Sequence, residues 1–426
     1  MKKVLATVAA LGLVAGVAST ASALDFSVKG KYQVEGYSLS NVEAAGGMEL
    51  TGETGSDAYW MHTMQMLPTM KVNDKITMYG DIRLFKEATF GHASDEGDTT
   101  NTTHNGLDIN KIYMEYMSPV GKIHVGRTPA GSWMGSFLNS ATAGNRIMWW
   151  PSFVSSPWSL LLFTQKMSES DKNSVDSDND KDLYKVSLSH KSENGSAAIA
   201  YNHVDDSTST AEENPSHGKL ELYANYKFDN IKVEFESAHV FGETSTDSDR
   251  DWDAWGAYLD VSGQFDALNV GAMLVYASGQ DMNAAATDDN EALMAATSGL
   301  GNDFKPLYIL TGDHTGILNQ DSVGGTGFEV ANNAGVMAYG VHADYKVSDR
   351  LTLHGAIAYA EADEIQTAGQ DDEYGVEYNV GAAYKLLDNL TYEAHFGYLD
   401  TGDFFKSGTT EAEEVTILSH HLTMTF

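Results

Sequence analysis

The sequence predicts an all-β fold, a transmembrane antiparallel β-barrel of 18 strands, with 16 as the alternative count. Three observations carry this. Segments of about ten residues alternate apolar and polar positions, the connections between them alternate between tight and long, and no later run approaches the ~18 consecutive apolar residues that a spanning helix requires.

At the N-terminus, Lys2 and Lys3 precede an apolar, small-residue run from Val4 to Ala18, and Ala21-Ser22-Ala23 supplies the small residues of a signal-peptidase site. This is the pattern of a secretory signal peptide, and the alternative is an ordinary hydrophobic helix. Residues 1–23 are expected to be removed, leaving 24–426 as one barrel domain that begins at Leu24.

From Phe26 the period-two pattern sets in. Phe26, Val28, Tyr32 and Val34 share one face, and Ser27, Lys29, Lys31, Gln33 and Glu35 share the other. Ile76, Met78, Ile82 and Leu84 oppose Thr77, Tyr79, Asp81 and Arg83 in the same way, as Leu220, Leu222, Tyr226 and Phe228 oppose Lys219, Glu221, Asn225 and Lys227. One face meets something apolar throughout, and the other meets something wet.

A soluble sandwich shows the same alternation, so the connections decide. Tight turns are expected at Asn73-Asp74-Lys75, Pro119 to Lys122, Glu193-Asn194-Gly195, Asp229-Asn230, Asp266-Ala267, Ser348-Asp349-Arg350 and Leu387-Asp388-Asn389. Long, acidic connections are expected at 41–57, 91–106, 168–181, 206–217, 243–251, 280–334, 363–372 and 402–413. Short periplasmic turns and long extracellular loops are the asymmetry of outer-membrane barrels. The phase requires one further short strand, Asn145 to Trp150, followed by a turn from Pro151 to Pro157. Barrels of 16 to 18 strands are too wide for side chains to fill, so the interior has room for an aqueous channel.

The final segment, Glu414 to Phe426, aligns Leu418, Leu422, Met424 and Phe426 on one face and ends on an aromatic. Phe426 is the candidate signal to the barrel-assembly machinery.

Composition narrows the function classes. There is no cysteine, which removes disulfides, thiolate metal sites and cysteine nucleophiles. The 26 Lys+Arg against 60 Asp+Glu give a net charge of −34, and loss of Lys2 and Lys3 takes it to −36. Such a field disfavours nucleic acid as a partner. No HExxH, GxSxG or phosphate-cradling glycine pattern occurs, so no enzyme activity and no cofactor are expected.

On the opening Leu24-Asp25-Phe26-Ser27-Val28-Lys29-Gly30, the stretch Gly121-Lys122-Ile123-His124-Val125-Gly126-Arg127 and the closing Leu422-Thr423-Met424-Thr425-Phe426, the chain resembles bacterial general porins over its whole mature length. The resemblance is narrower to the homotrimeric porins of sulfate-reducing proteobacteria. It implies an outer-membrane trimer of separate pores for passive diffusion of small hydrophilic solutes, surrounded by lipopolysaccharide and outer-membrane lipids. It further implies a third extracellular loop folded into the lumen, which here would begin near Thr128 and occupy the 128–157 region.

Between Tyr116 and Ser168 there is no Asp or Glu, while Lys122, Arg127, Arg146, Lys166 and His124 are present. A basic constriction favours anions, because a narrow low-dielectric passage strengthens each fixed charge. The alternative is a packed, apolar or trimer-facing loop. Arg83, Lys111 and Lys185 oppose the apolar positions of their strands and are expected inside. Arg127 shares parity with Ile123 and Val125 and needs a bulge at Gly126 to reach the lumen. Arg83, Lys111, Arg127, Arg146 and Lys185 are thus the candidate constriction residues.

Asp176, Asp178, Asp180 and Asp182, and again Asp247, Asp249, Asp251 and Asp253, begin like calcium loops. Lys181 or Trp252 stands where glycine is needed, and Ser187 or Tyr258 where a bidentate Glu belongs, so solvated acidic loops are expected. The 280–334 loop is long enough to serve a surface-layer anchor or adhesin, and Asn283 to Ser298 is read as a short helix over the pore mouth. A substrate-selective channel is the other alternative. The inward set Tyr79, Phe85, Tyr113, Tyr223 and Tyr258 suggests no continuous aromatic track.

Overall fold

A computed structural model describes residues 24–41, 57–91, 107–129, 135–138, 142–169, 180–208, 216–244, 250–281, 283, 288–297, 299–301, 303–312, 318, 331–365, 369–406 and 412–426. The signal-peptide expectation for 1–23 and the acids Asp176, Asp178, Asp247 and Asp249 lie outside the described residues.

The first nine strands are β1 (Asp25–Ser40), β2 (Asp57–Asn73), β3 (Ile76–Thr89), β4 (Leu107–Ser118), β5 (Gly121–Thr128), β6 (Gly144–Pro151), β7 (Trp158–Ser168), β8 (Lys181–Lys191) and β9 (Gly195–Asp206). The remainder are β10 (Ser216–Phe228), β11 (Ile231–Glu243), β12 (Asp251–Phe265), β13 (Leu268–Ala277), β14 (Val336–Lys346), β15 (Leu351–Glu361), β16 (Glu373–Leu387), β17 (Leu390–Thr401) and β18 (Val415–Thr425). Each strand pairs antiparallel with its neighbours in sequence, and β1 pairs with β18 to close an 18-stranded barrel. The short strand expected at Asn145 to Trp150 is β6, which restores the up-and-down phase.

Closure is necessary because lipid offers no partner to an unpaired strand edge. At the seam, the Gly30 amide donates to the Phe426 carbonyl at 2.8 Å and the Phe426 amide donates back to the Gly30 carbonyl at 3.0 Å. Gly30 has no Cβ, and the Phe426 ring occupies the place where one would stand.

The outward face is apolar in the middle and aromatic at both ends. Phe228, Phe265, Tyr345, Tyr384 and Phe426 are exposed near the turn end, and Trp60, Tyr184, Tyr201, Phe241 and Trp255 near the loop end. These are the two interfacial girdles of an outer-membrane barrel, with the turn end periplasmic. Asp229 and Asp266 adopt positive φ, 54° and 51°, as tight hairpins demand.

The largest departure from the sequence reading lies inside. The described residues between 288 and 318 of the connection between β13 and β14, expected as an extracellular loop, pack largely into the barrel. Its helix α1 (Leu293–Thr297) buries Leu293 and Met294, and α2 (Ala331–Ala334) precedes β14. Leu300, Phe304, Leu307, Ile309, Leu310 and Leu318 are also buried, in one cluster with inward Ala254, Met273, Val275, Ala338, Ala358, Ala360, Leu399 and Ile417. The helix expected over the mouth therefore lies against the inner wall, where Leu293 reaches Gly256.

A buried carboxylate holds this segment. Glu377 of β16, fully buried, accepts from the Tyr308 and Ile309 amides at 2.8 Å and the Leu310 amide at 2.7 Å. Three amides of a packed segment are satisfied by one side chain.

Two predictions follow from this construction. Deleting Phe426, or replacing Gly30 by Leu, is expected to lower the yield of heat-modifiable barrel in gel-mobility assays, and unchanged yield would refute the seam's role. Glu377→Ala leaves buried amides without acceptors, at a cost of about 1–3 kcal/mol each. Amide exchange across 303–312 is expected to accelerate while the strands stay protected, and equal protection in both proteins would refute the pinning role.

Candidate functional site

Between β5 and β6, the described residues 135–138 pack against the inner wall, with Phe137 and Leu138 buried. Glu236 of β11 accepts from the Phe137 amide at 3.0 Å and the Leu138 amide at 3.3 Å. Lys219 of β10 donates to the Leu138 carbonyl at 3.3 Å. The Phe137 carbonyl accepts from the Gly301 amide at 2.8 Å, so the two inward segments are bonded to each other. Phe137, Tyr258 and Phe304 pack ring against ring at centroid distances of 5.0–6.1 Å.

These segments decide where the five basic candidates stand. Arg146 is 7% exposed and clamps the stems of the 129–143 connection. Its guanidinium donates to the Thr128 carbonyl at 3.1 Å, the Thr142 carbonyl at 3.4 Å and the Gln165 side chain at 2.7 Å. The Lys185 side chain is 5% exposed and bonds Glu221 at 2.9 Å, beside Lys219 at 2.8 Å and Asn202 at 2.7 Å. Both residues are inside the barrel, as parity required of Lys185, but they are buried in the wall-to-loop packing rather than facing water.

Arg127 stands elsewhere. The β4–β5 register runs through Gly126 without a shift and pairs Arg127 with outward Ile112, so the bulge that would re-aim it is missing. Its Nε donates to the Asn110 carbonyl at 2.9 Å, at the loop end of β5, where an outward charge costs far less than at mid-depth.

Arg83 and Lys111 remain partly open to solvent, with side chains 26% and 23% exposed. They converge on Asp81, at 3.7 and 3.8 Å, and Asp81 also accepts from Gln65 and Asn110 at 2.8 Å. Asn110 is the extra residue of a bulge between β3 and β4, which aims its amide at Asp81. On β1, Lys31, Gln33, Glu35 and Tyr37 hydrogen-bond in series along the inner face. Arg83 and Lys111 of β3 and β4 keep partial exposure, whereas the buried apolar cluster lines β11–β18 and reaches Tyr37 and Leu39 of β1 and Met61 of β2.

Toward the turn end, Tyr79, Tyr113, His124 and Trp150 form a contiguous ring series with centroids 5.2, 5.1 and 4.7 Å apart. The sequence reading missed this run, because His124 and Trp150 were counted with the acid-free stretch rather than with the inward aromatics. Phe85, expected inside, stacks instead on outward His62, and its φ of 53° shows the local distortion of β3 that turns it round. Tyr223 and Tyr258 are inward, Tyr258 under the second segment.

Of the acids in these runs that are described, Asp180, Asp182 and Asp253 are engaged. Lys166 bonds Asp180 and lies 2.9 Å from Asp182, and Asp253 lies 2.7 Å from His239. Among the described residues, no cluster of three or more His, Asp or Glu has the arrangement of a metal site. At the loop end, burial raises the Glu364 carboxyl above its ordinary value, and Asp363, Asp281 and Glu291 push it the same way.

A family profile described as Gram-negative porin matches residues 6–404. No curated protein matches the sequence. Among solved structures, OccK9 (OpdG) of Pseudomonas aeruginosa is similar at a TM-score of 0.56 and 11% identity, covering 94% of this chain and 99% of that one. The BenF-like porin from Pseudomonas fluorescens Pf-5 is similar at 0.54 and 10% identity, covering 94% and 98%. P. aeruginosa OpdQ is similar at 0.54 and 9% identity, over the same shares. At such identities the likeness speaks for the fold alone, while the profile covers nearly the whole chain. With a closed barrel, two interfacial girdles and loops narrowing a polar lumen, this chain belongs to the Gram-negative porins and is an outer-membrane channel.

Proposed function

We propose that the protein is a general-diffusion porin, a passive channel for small hydrophilic solutes and ions, with a weak anion preference at its constriction. The observation that carries the reading is the division of the lumen: β11–β18 face a buried apolar filling, and β3 and β4 keep partly exposed charged side chains. Arg83 and Lys111 are the two basic candidates of the five that retain exposure to lumen water. Asp81 between them offsets part of their charge, so any anion preference is weak.

The acidic composition of the outer connections opposes this preference. At physiological salt, charges in solvated loops are screened beyond ~8 Å, whereas charges at a narrowing are screened less. Selectivity is therefore weakly anionic at high salt and moves toward cations at low salt. Reversal potentials across a salt gradient test this. Arg83→Ala with Lys111→Ala should shift the high-salt value toward cations, and strong cation selectivity at every ionic strength, unchanged by the pair, would refute it.

The resemblance to homotrimeric porins supports a trimer, and the small-residue site at Ala21-Ser22-Ala23 supports a mature start at Leu24. Conductance steps in groups of three and an intact mass lacking residues 1–23 are the expected outcomes. Solitary steps would refute the trimer, and a retained Met1 would refute the processing site.

A further inference from the structure

Arg127 faces out of the barrel near the loop end of β5, and its guanidinium is only partly used. Its Nε donates to the Asn110 carbonyl, while among the described residues its two terminal nitrogens make no hydrogen bond or ion pair. Arg127 pairs in register with Asn145 of β6, which is exposed and whose side-chain amide has no hydrogen-bond partner among the described residues. Asn145 lies two residues from outward Ile147 and therefore shares its face. Unengaged N–H donors thus stand on the lipid side of the wall, at the end that meets the outer leaflet.

From Asn145 toward the turn end, the outer wall is grooved. Thr164 of β7 pairs with Ile147 on one side and Tyr184 on the other, both larger and exposed, so it forms a low floor between them. Leu162, Val186 and Tyr201 continue the lining, and the groove encloses about 440 Å3. Arg127 is one strand over and two residues along from Ile147, which puts their Cα atoms about 8 Å apart. A single lipid spans that distance from its headgroup to the start of a chain. Lys166, next to Asn145 in the register, is bonded to Asp180 and Asp182. Asp182 is three strands from Arg127, about 14 Å away. That exceeds the ~8–10 Å screening length, so the acidic pair leaves the Arg127 charge in place.

We propose that this part of the outer wall holds one lipopolysaccharide molecule by its lipid A moiety. A phosphate accepts from the Arg127 terminal nitrogens and the Asn145 amide, and an acyl chain lies in the groove over Thr164. Phosphate is the acceptor that a planar guanidinium matches with two parallel bonds. In the membrane one lipid chain replaces another, so filling the groove gains only van der Waals contact. The donors at its lip therefore choose a phosphorylated lipid, and the groove sets where the chain runs. The site is on the outer surface and stands whichever solutes pass through the lumen.

Native mass spectrometry of the purified outer-membrane protein, released from detergent micelles, tests this with two probes: bis-phosphorylated lipid A and the same lipid stripped of both phosphates. The phosphorylated probe is expected to bind as one retained copy per chain, and the stripped probe more weakly. Arg127→Gln should weaken the phosphorylated probe about tenfold, as loss of a charge-assisted hydrogen bond implies, and leave the stripped probe unchanged. Thr164→Trp raises the groove floor and should weaken both. Arg350→Gln removes an exposed charge at the opposite, turn end of the barrel and should weaken neither. Heat-modifiable gel mobility checks that each variant is folded. Equal binding of the two probes, unchanged affinity in Arg127→Gln, or a matching loss in Arg350→Gln would each overturn the assignment. A Thr164→Trp protein that loses subunit association but keeps its lipid affinity would overturn it too, by giving the groove to a second copy of this chain.

Discussion

Every part of this molecule answers to one constraint: a backbone amide removed from water must find a partner within the protein. The wall meets it by closing on itself, with β18 on β1 and the last residue bonded at both its amide and carbonyl to Gly30. Two connections then enter the closed lumen, where strand ladders offer them nothing. Glu236 and Glu377 take over that role, one accepting two amides of the first segment and the other three amides of the second. A carboxyl group suits the task because its two oxygens can accept several donors at once. The same residue type that elsewhere lines a wet pore is here part of the dry packing.

The wall was legible because period-two alternation and turn chemistry are local. They located the strands, the tight turns and even β6, which had to exist for the chain to return to the correct side. Alternation says which face is inside. It is silent on what else stands there, so the 280–334 connection read as a surface loop when much of it is interior. A signal for its true place did exist. Inward positions of a water-filled barrel should be polar, yet Ala254, Gly256, Ala338, Gly340, Ala356, Ala358, Ala360, Gly381 and Gly397 are small and apolar in adjacent strands. A run of small residues on the wet face leaves a volume that something must fill.

The basic candidates show the same limit. Parity correctly put Arg83, Lys111 and Lys185 inside, but burial within the lumen depends on which loop lies over each one. Lys185 sits behind the first segment against Glu221, while Arg83 and Lys111 stand on the uncovered wall. Arg146 came from the acid-free stretch, and its role there is mechanical: it joins Thr128 to Thr142 at the base of the loop. The shortage of acids in that stretch fits this geometry as well as it fits selectivity. A carboxylate near Arg146 would compete for the guanidinium that holds the stems.

Width and charge are thereby assigned to different residues. The width of the passage follows from how far the two segments reach across, which the Phe137, Tyr258 and Phe304 packing and the two carboxylate anchors determine. In the proposed reading its field follows from Arg83 and Lys111, which bond Asp81 rather than either segment's anchor. Groups that share no contact act nearly independently. Substitutions at the anchors should therefore alter solute size limits with little change in ion preference, and substitutions at Arg83 or Lys111 the reverse. In a pore narrowed by one charged loop the two properties are tied together, because the residues that constrict also select. In the proposed reading the apolar filling does the constricting, and the wall that carries Arg83 and Lys111 can vary its charges without disturbing that packing.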